Sequence, residues 1–390
     1  MTQIAAATVG GVFKPSTSPP TDFAESWFDG TNYNYNAVAD YYTAPAVSPR
    51  STITELFSGS VSVSPSFFGM HYNRHATVVG EPLTASIVRI HDATWGEQRA
   101  HWRGTNTAQG VYDWTALDNI VARWYARGRE MIYTFGVTPS WASARPSESG
   151  AYGLGTAAEP SSNTYWTDFC QAIAERYDGR IKYWEVWNEV NLSSFYSGTK
   201  AKLAELARLA HQTIKAVNAN NIILSPNCTS LATGGATYFD GYLTASDGAT
   251  GTGADWFDIV ACHLYCSAST RMGLDTKGLI DALDAVLATR SITKPVWNTE
   301  TGLLSPDANV LLEDKMKHIK RSMVIAAALG VEHWSLYTYD HTTMGINDKL
   351  RYTQEWEDWR SVLLSGAVTR VNQLWDGRIA CVIDGAEHLV

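Results

Sequence analysis

Two glutamates, Glu189 and Glu300, each follow a short run of apolar and aromatic residues. Glu189 ends the tripeptide Trp187-Asn188-Glu189, and Glu300 closes residues 294–300. Two carboxyl groups can cleave a glycosidic bond when one protonates the leaving oxygen and the other attacks the anomeric carbon. Aromatic faces beside them would hold the sugar ring. Either glutamate alone could be a surface residue at a strand end, but the two together favour sugar chemistry.

These glutamates need a framework that brings two distant strand ends together. Short apolar runs from residue 67 onward predict eight β-strands, at 67–72, 86–91, 131–136, 181–187, 222–225, 257–264, 296–299 and 333–339. Helical spacing of apolar residues occurs between them, at 115–127, 165–177, 200–217, 279–289 and 310–329. In residues 115–127 the apolar positions recur at intervals of three and four, and Gly128 provides a stop.

Eight strands with mostly helical crossovers predict an α/β fold, a (β/α)₈ TIM barrel. Active sites of this fold lie at the carboxyl ends of the strands, where Glu189 closes the fourth strand and Glu300 the seventh. We expect residues 61–375 to form the catalytic barrel. Residues 1–60 are expected to be an N-terminal extended or accessory segment, and residues 376–390 the start of a β-rich accessory layer. The N- and C-terminal segments would together form that small β-rich region.

Two stretches near the C-terminus carry weaker patterns. Residues 367–375 have the spacing of a short helix, and residues 378–384 alternate as a strand does. The strand-like stretch is expected to belong to the accessory layer.

The composition excludes some partners. The 390-residue chain has a formal net charge of −9, which argues against nucleic acid because phosphate neutralisation needs clustered Lys and Arg. An anionic polysaccharide is not excluded, since a local basic pocket could bind it. Fifteen Trp and nineteen Tyr exceed what a core of this size requires, and a carbohydrate cleft would explain the surplus.

Cysteines and termini give few further constraints. The five cysteines form an odd number without a regular framework, so neither a disulfide scaffold nor a zinc site is expected. No run of 18 apolar residues predicts a membrane span. The first ten residues lack the features of a signal peptide. Localisation is left open, with an extracellular or particle-associated protein among the alternatives.

Four motifs on the predicted strands resemble those of a known group of enzymes. They are Arg89 on the second strand, Trp187-Asn188-Glu189 on the fourth, His263-Leu264-Tyr265 on the sixth and residues 296–300 on the seventh. Over residues 60–375 the chain resembles the clan A glycoside hydrolases, and is most like glycoside hydrolase family 39.

The resemblance implies a retaining O-glycosidase and a role for each matched residue. Glu189 would be the acid/base and Glu300 the nucleophile. Arg89 and Tyr265 would keep Glu300 charged and oriented. Asn188 would donate a hydrogen bond to the 2-hydroxyl of the sugar, a contact that strengthens in the transition state.

Other residues are predicted to touch the substrate. His263 would contact it or support the nucleophile, Trp141 and Trp297 are candidate sugar platforms, and His71 and His91 could line the pocket. Each has a purely structural alternative, such as a core histidine for His263.

Strand parity separates the remaining candidates. Arg89 could be part of a structural ion pair. Glu185 is an even number of positions from Glu189 and so points inward with it, where it could support Arg89 without reacting. Trp184 has the opposite parity and is expected to pack under a helix.

One position departs from the family pattern. Related enzymes often carry Trp-Asp at the end of the eighth strand, whereas this chain has Tyr339-Asp340. Tyr339 would change the wall of the subsite that holds the reacting sugar, which leaves the substrate class open.

Several functions remain compatible with these residues. Aromatic residues recur in the predicted loops, at Trp95, Trp102, Trp141, Tyr152 and Tyr196. They favour an endo-acting enzyme on a bacterial exopolysaccharide. The alternatives are an exo-acting glycosidase like β-xylosidase or α-L-iduronidase, and a catalytically inactive carbohydrate-binding barrel. We expect an oligo- or polysaccharide partner, no metal or organic cofactor, and leave the oligomeric state open.

Overall fold

The computed structural model describes residues 4–6, 25–28, 33–34, 53–75, 84–91, 100–267, 273–304, 312–340, 345–346, 350–374 and 376–390. In chain order the strands are β1 (Ile4–Ala6), β2 (Glu25–Phe28), β3 (Tyr33–Asn34), β4 (Thr54–Ser62), β5 (Phe68–His71), β6 (Ile87–Ile90), β7 (Asn106–Ala108), β8 (Val111–Tyr112), β9 (Glu130–Thr134), β10 (Ser149–Gly150), β11 (Gly153–Leu154), β12 (Tyr183–Glu185), β13 (Ile222–Leu224), β14 (Val260–His263), β15 (Cys266–Ser267), β16 (Val296–Thr301), β17 (Leu303–Leu304), β18 (Val331–Leu336), β19 (Ala367–Gln373), β20 (Ile379–Ile383) and β21 (Ala386–Leu389).

The helices connect these strands. They are α1 (Trp102–Thr105), α2 (Thr115–Tyr125), α3 (Asn163–Arg176), α4 (Lys200–Val217), α5 (Gly235–Leu243), α6 (Thr276–Thr289), α7 (Leu312–Ala328) and α8 (Leu350–Leu364). Neither α5 nor α8 is among the helices predicted from the sequence. Within the described residues, no helix has the length and apolar character needed to cross a membrane.

The chain divides into two compact units, Met1–Thr52 and Ile53–Val390. In the first unit, β1, β2 and β3 form a three-stranded antiparallel sheet. The second unit contains the remaining strands and the helices. The three-part division at residues 60 and 375 stays a prediction.

All eight predicted barrel strands are present in one parallel sheet. Its order is β13-β12-β9-β6-β5-β18-β16-β14, and a parallel bridge between Leu224 and Ile259 joins its two ends. The sheet therefore forms the predicted (β/α)₈ barrel. Because all the strands are parallel, their carboxyl ends meet at one end of the barrel.

The helices cover the outside of the barrel because each carries an apolar stripe. In α2 the buried residues are Leu117, Ile120, Val121 and Trp124, one face of a 3.6-residue period. Gly128, with a φ of 66°, follows that helix and occupies the left-handed region that favours glycine. The helix α4 begins where the hydroxyl of Thr199 accepts the backbone N–H of Lys202 at 3.1 Å.

A second, smaller apolar cluster lies inside the barrel. Its members come from the barrel strands and their connections: Ile87, Ile132, Tyr183, Leu224, Ile259, Ala261 and Trp297. This cluster fills the interior as layers of side chains do in such barrels. The carboxyl end of the barrel is then left for polar residues.

A four-stranded antiparallel sheet, in the order β21-β20-β19-β4, uses residues from both parts of the chain that flank the barrel. The accessory β-rich region expected from the sequence is therefore present. The helix predicted at residues 367–375 is wrong, because Ala367–Gln373 is the strand β19. Val368 and Val371 are both buried although three residues apart, since the pairing of β19 with β20 shifts register between Val368 and Arg370. The register shift places apolar residues three positions apart, which resembles the spacing of a helix.

The five cysteines are all free and buried. The expectation that they form no disulfide framework is thus confirmed.

Candidate active site

Glu189 and Glu300 lie together at the carboxyl end of the barrel. Glu189 follows β12 by four residues, and Glu300 is within β16. Both are largely buried, with 9% and 7% of their surfaces exposed. One carboxylate oxygen of each glutamate and one ring nitrogen of His263 all lie within 4.8 Å of one another. Two residues that are 111 positions apart in the sequence therefore share one small volume.

Arg89 on β6 is the cation of this volume and is fully buried. Its Nη1 donates to Glu300 Oε2 at 2.5 Å. Its Nε and Nη2 both donate to Glu185 Oε2, at 2.8 and 2.5 Å, and Nη2 also donates to Asn188 Oδ1 at 2.8 Å. Burial lowers the pKa of Arg89, but the charges of the two glutamates outweigh burial and raise it. Arg89 therefore stays a cation and connects the ends of three barrel strands.

Glu185 is the inner partner of Arg89. Besides the guanidinium, its Oε2 accepts the hydroxyl of Thr134 at 2.6 Å, and its Oε1 accepts the hydroxyl of Thr299 at 2.6 Å. Burial raises the pKa of Glu185, but the charge of Arg89 and these hydrogen bonds outweigh burial, so the pKa is lowered. With both oxygens bonded to neighbouring side chains, Glu185 is placed to orient Arg89 and not to react.

Glu300 is bound on both oxygens. Arg89 holds Oε2, and the hydroxyl of Tyr265 donates to Oε1 at 2.5 Å. Burial raises the pKa of Glu300 above its ordinary value, while the guanidinium and the Tyr265 hydroxyl act in the opposite direction. Burial also raises the pKa of Tyr265 well above its usual range, so this hydroxyl keeps its proton and remains a donor.

Glu189 has a different environment. Its Oε1 lies 2.9 Å from Nδ1 of His263, which is fully buried. Its backbone has a φ of 44°, which is uncommon for a residue other than glycine. Its N–H donates to Oδ1 of Asn227 at 2.7 Å. The two glutamates are therefore held by different groups, one by a cation and a phenol, the other by an imidazole and a backbone contact.

His91 lies at the edge of the same end of the barrel. With Asn188 it lines a small concavity, together with Gly136, Tyr152 and Phe195 among others. The Nε2 of His91 is 3.3 Å from the hydroxyl of Tyr152. A contact of His91 with substrate stays a prediction.

The two predicted sugar platforms, Trp141 and Trp297, have different surroundings, and the role of Trp141 stays a prediction. Trp141 donates from Nε1 to the backbone oxygen of Asn106 at 2.9 Å, and its ring packs edge to face on Tyr165. Trp297 belongs to the cluster inside the barrel, with its ring centroid 4.7 Å from that of Tyr183. It lies three positions before Glu300, about 10 Å along a strand. Trp297 points into the barrel, but it lies too deep in the barrel to reach the carboxyl end.

Tyr339 is also packed away from the two glutamates. It is 4% exposed, and its ring lies 5.5 Å from that of Tyr72, which stacks on Trp124 of α2. The neighbouring Tyr337 is instead beside the site, with its ring edge to face at 5.3 Å from His71. Sequence reasoning missed Tyr337 because the regular strand ends at Leu336, and alternation can no longer be counted beyond that residue.

His71 and Asn227 complete the surroundings of the two glutamates. The Nε2 of His71 is 3.0 Å from the backbone oxygen of Thr299 and 3.5 Å from Nη1 of Arg89. Burial and the nearby guanidinium lower the pKa of His71 well below its ordinary value. This histidine is therefore neutral. Asn227 carried no signal in the sequence beyond its place just after the fifth barrel strand.

The trio Glu189, His263 and Glu300 could by its residue types hold a metal ion. The surroundings fit a cation poorly, because the guanidinium of Arg89 lies 2.5 Å from Glu300 and would repel it. The absence of a metal cofactor stays a prediction.

A (β/α)₈ barrel with two buried carboxyls at the carboxyl ends of its fourth and seventh strands is the arrangement of a glycoside hydrolase. The family model described as glycosyl hydrolase catalytic core matches residues 132–354, more than half of the chain. The chain belongs to this family, and the resemblance drawn from the four motifs is confirmed at that level. No curated protein matches the chain.

Solved structures share the fold at low sequence identity. A glucosidase from Croceicoccus marinus is 11% identical with a TM-score of 0.60, over 86% of this chain and 75% of its own. A family 39 β-xylosidase from Caulobacter crescentus is 18% identical with a TM-score of 0.58, over 84% and 79%. A family 39 enzyme from Xanthomonas axonopodis pv. citri is 18% identical with a TM-score of 0.59, over 84% and 73%.

Replacing Arg89 with Met should be strongly destabilising, because Glu185 and Glu300 would remain buried without their cation. We expect the free energy of unfolding at pH 7 to fall by about 3–5 kcal/mol, measured by urea denaturation. As pH falls, the unpaired carboxylates take up protons and lose their charge, so the difference from wild type should narrow. Arg290→Met is the control, because Arg290 pairs with Asp240 at the surface and its loss should change the free energy of unfolding far less. Equal losses in the two variants would show that the buried network does not stabilise the barrel.

Proposed function

We propose that the protein is a retaining O-glycosidase that acts by double displacement, with Glu300 as nucleophile and Glu189 as acid/base. The observation that carries the proposal is the separation of the two carboxyls, whose nearest oxygens are no more than 4.8 Å apart. Retaining enzymes hold the two carboxyl groups about 5–5.5 Å apart, whereas inverting enzymes leave about 6.5–9.5 Å for a water molecule. The short separation supports direct attack by a carboxylate.

The different environments of the two carboxyls support the division of roles. In the first step a carboxylate oxygen of Glu300 bonds to the anomeric carbon while the bond to the leaving oxygen breaks, and Glu189 gives that oxygen its proton. In the second step a water attacks the anomeric carbon, Glu189 takes a proton from it, and the ester to Glu300 breaks. Arg89 and Tyr265 hold Glu300 in the anionic form that attack requires. The imidazole of His263 contacts Glu189, the group that must exchange protons.

The side-chain amide of Asn188 is placed to hydrogen-bond the sugar at the position next to the reacting carbon. Its amide oxygen is taken by Arg89, so its amide nitrogen is the group that it can offer to a substrate. A hydrogen bond from this nitrogen to the 2-hydroxyl would strengthen in the transition state. The same contact with Arg89 fixes the amide orientation before substrate arrives.

We further propose that the enzyme is endo-acting on a bacterial exopolysaccharide. The support for endo action is Tyr152, a half-buried aromatic residue that lines the concavity beside Asn188. Trp102 and Tyr196, also named from the loops, are buried and cannot serve as subsites. Their burial favours a second candidate, an exo-acting enzyme like β-xylosidase or α-L-iduronidase, because fewer exposed aromatics leave less surface for a polymer.

A catalytically inactive carbohydrate-binding barrel is a weaker candidate. Such a protein has no need for two buried carboxyls, whose burial costs free energy unless they are paired and hydrogen-bonded. Both glutamates are buried here, and both are bonded to neighbouring side chains.

Glu300→Gln should fold normally and lose turnover by at least about 10⁴-fold, since an amide cannot form the ester. Glu189→Gln should lose kcat/KM on substrates with poor leaving groups and keep much of it on dinitrophenyl glycosides, whose leaving group needs no proton; kcat should fall on both because the second step loses its base. Proton NMR of the first product should show retained anomeric configuration. Glu130→Gln, which alters a surface pair with Lys182, is the control and should match wild type. Inverted product or an active Glu300→Gln would refute the proposed mechanism.

Tyr265→Phe removes a hydrogen bond that lowers the pKa of Glu300, so that pKa should rise further. Attack requires ionised Glu300, and activity is lost as pH falls through its pKa. The acid limb of kcat/KM should therefore move to higher pH, with a loss of about 10- to 100-fold near neutrality. Tyr196→Phe, which removes a buried hydroxyl bound to the backbone of Thr199, should leave the pH profile unchanged. An unmoved acid limb in Tyr265→Phe would contradict the role given to this hydroxyl.

The mode of cleavage can be read from products. Wild type and Glu300→Gln are incubated with a panel of bacterial exopolysaccharides and aryl glycosides, while viscosity, reducing ends and product size are followed. Endo action predicts a rapid fall in viscosity and oligosaccharide products from wild type alone. Release of monosaccharide without loss of viscosity would establish the exo-acting alternative. Polymer binding without turnover in wild type would instead support the binding barrel.

A further inference from the structure

We infer that Asn227 is the positioning residue for the acid/base carboxyl of Glu189, an inference that rests on the proposed function. Asn227 is fully buried and follows β13 by three residues. It lies outside the motifs by which the chain resembles its family. It touches neither carboxyl by hydrogen bond, so its effect on the reaction passes through the backbone of Glu189.

Four hydrogen bonds join Asn227 to the segment that carries Glu189. Its Oδ1 accepts the N–H of Glu189 at 2.7 Å, and its Nδ2 donates to the backbone oxygen of Trp187 at 3.0 Å. Its own N–H donates to that same oxygen at 3.3 Å, and its backbone oxygen accepts the N–H of Val190 at 3.1 Å. Both polar atoms of the side chain are thereby committed to residues 187–190.

The backbone at Glu189 needs this support. A φ of 44° places a residue with a Cβ in the left-handed region, where the backbone is strained and surrounding contacts must hold it. The turn directs the side chain of Glu189 to His263 and Glu300. Without the amide of Asn227, an extended backbone becomes the lower-energy conformation, and the carboxyl would move away from the leaving oxygen.

A second asparagine provides a matched control. Asn191 joins the same two loops, because its Oδ1 accepts the N–H of Thr229 at 3.0 Å and its Nδ2 donates to the oxygen of Thr229 at 3.1 Å. It therefore contributes two side-chain hydrogen bonds between the loops, as Asn227 does, but none to Glu189. If Asn227 only connects the two loops, replacing either asparagine should change activity in the same way. If Asn227 positions Glu189, the two replacements should change activity differently.

The test uses aryl glycosides of one sugar, chosen as the one that wild type turns over in the panel, with leaving groups from dinitrophenol to phenol. Asn227→Ala should lose kcat/KM by on the order of 10- to 100-fold for phenol, the scale expected for a catalytic group displaced by about 1 Å. For dinitrophenol, which leaves without a proton, the loss should be under about threefold. Asn191→Ala should show a small loss that is equal across the series. Asn227→Ser, whose hydroxyl retains an acceptor, should lie between wild type and Asn227→Ala.

The outcomes separate this inference from the proposed function. The positioning role would be overturned if Asn227→Ala lost the same factor of kcat/KM for every leaving group. It would also be overturned if kcat/KM of Asn191→Ala depended on the leaving group as that of Asn227→Ala does. Glu189→Gln is measured on the same series. If its activity does not depend on the leaving group, then Glu189 is not the acid/base, and the proposed function fails together with the inference. Should Asn227→Ala not fold, Asn227→Ser supplies the same comparison, and a crystal structure of that variant should show the Glu189 carboxyl displaced from His263.

Discussion

The carboxyl end of the barrel depends on one buried guanidinium. Arg89 bonds Glu185, Asn188 and Glu300, which come from two further strands, and all four are at least nine-tenths buried. A charge removed from water must be paired at close range, so the planar fork of Arg89 dictates where each of these groups can lie. The strand ends are consequently held in one arrangement before any substrate binds. The position of the Glu300 carboxyl follows from that arrangement.

Much of this arrangement could be predicted from the sequence. Eight apolar runs gave the barrel because strands and helices are encoded by local periodicity, and inward parity placed Glu185 beside Arg89. The alternation of side chains along a strand does not show how deep in the barrel a residue lies. Trp297 was therefore expected at the carboxyl end, although it fills the barrel interior. Positions beyond the strand ends, such as Tyr337 and Asn227, follow no period. Their places are set by contacts between loops that are distant in the chain.

The tryptophan content illustrates how composition can mislead about function. The Trp residues that are fully buried are Trp102, Trp124, Trp166, Trp184, Trp187, Trp334 and Trp356. Several pack on one another or on Phe169 between the sheet and the helices. These residues fill the wide layer that encloses a barrel, where large rings bury much apolar surface. Their number reflects the architecture, and it carries little information about a sugar cleft.

The pairing of one arginine with two glutamates also has a consequence for the glycosyl ester that the proposed mechanism would form on Glu300. While Glu300 is free, the buried set of Arg89, Glu185 and Glu300 has one negative charge more than positive. Formation of the glycosyl ester removes the charge of Glu300. Arg89 and Glu185 then remain as a balanced ion pair, so no isolated cation is left in the interior. Under the proposed mechanism, Glu185 would let Glu300 lose and regain its charge in each cycle while Arg89 stays neutralised.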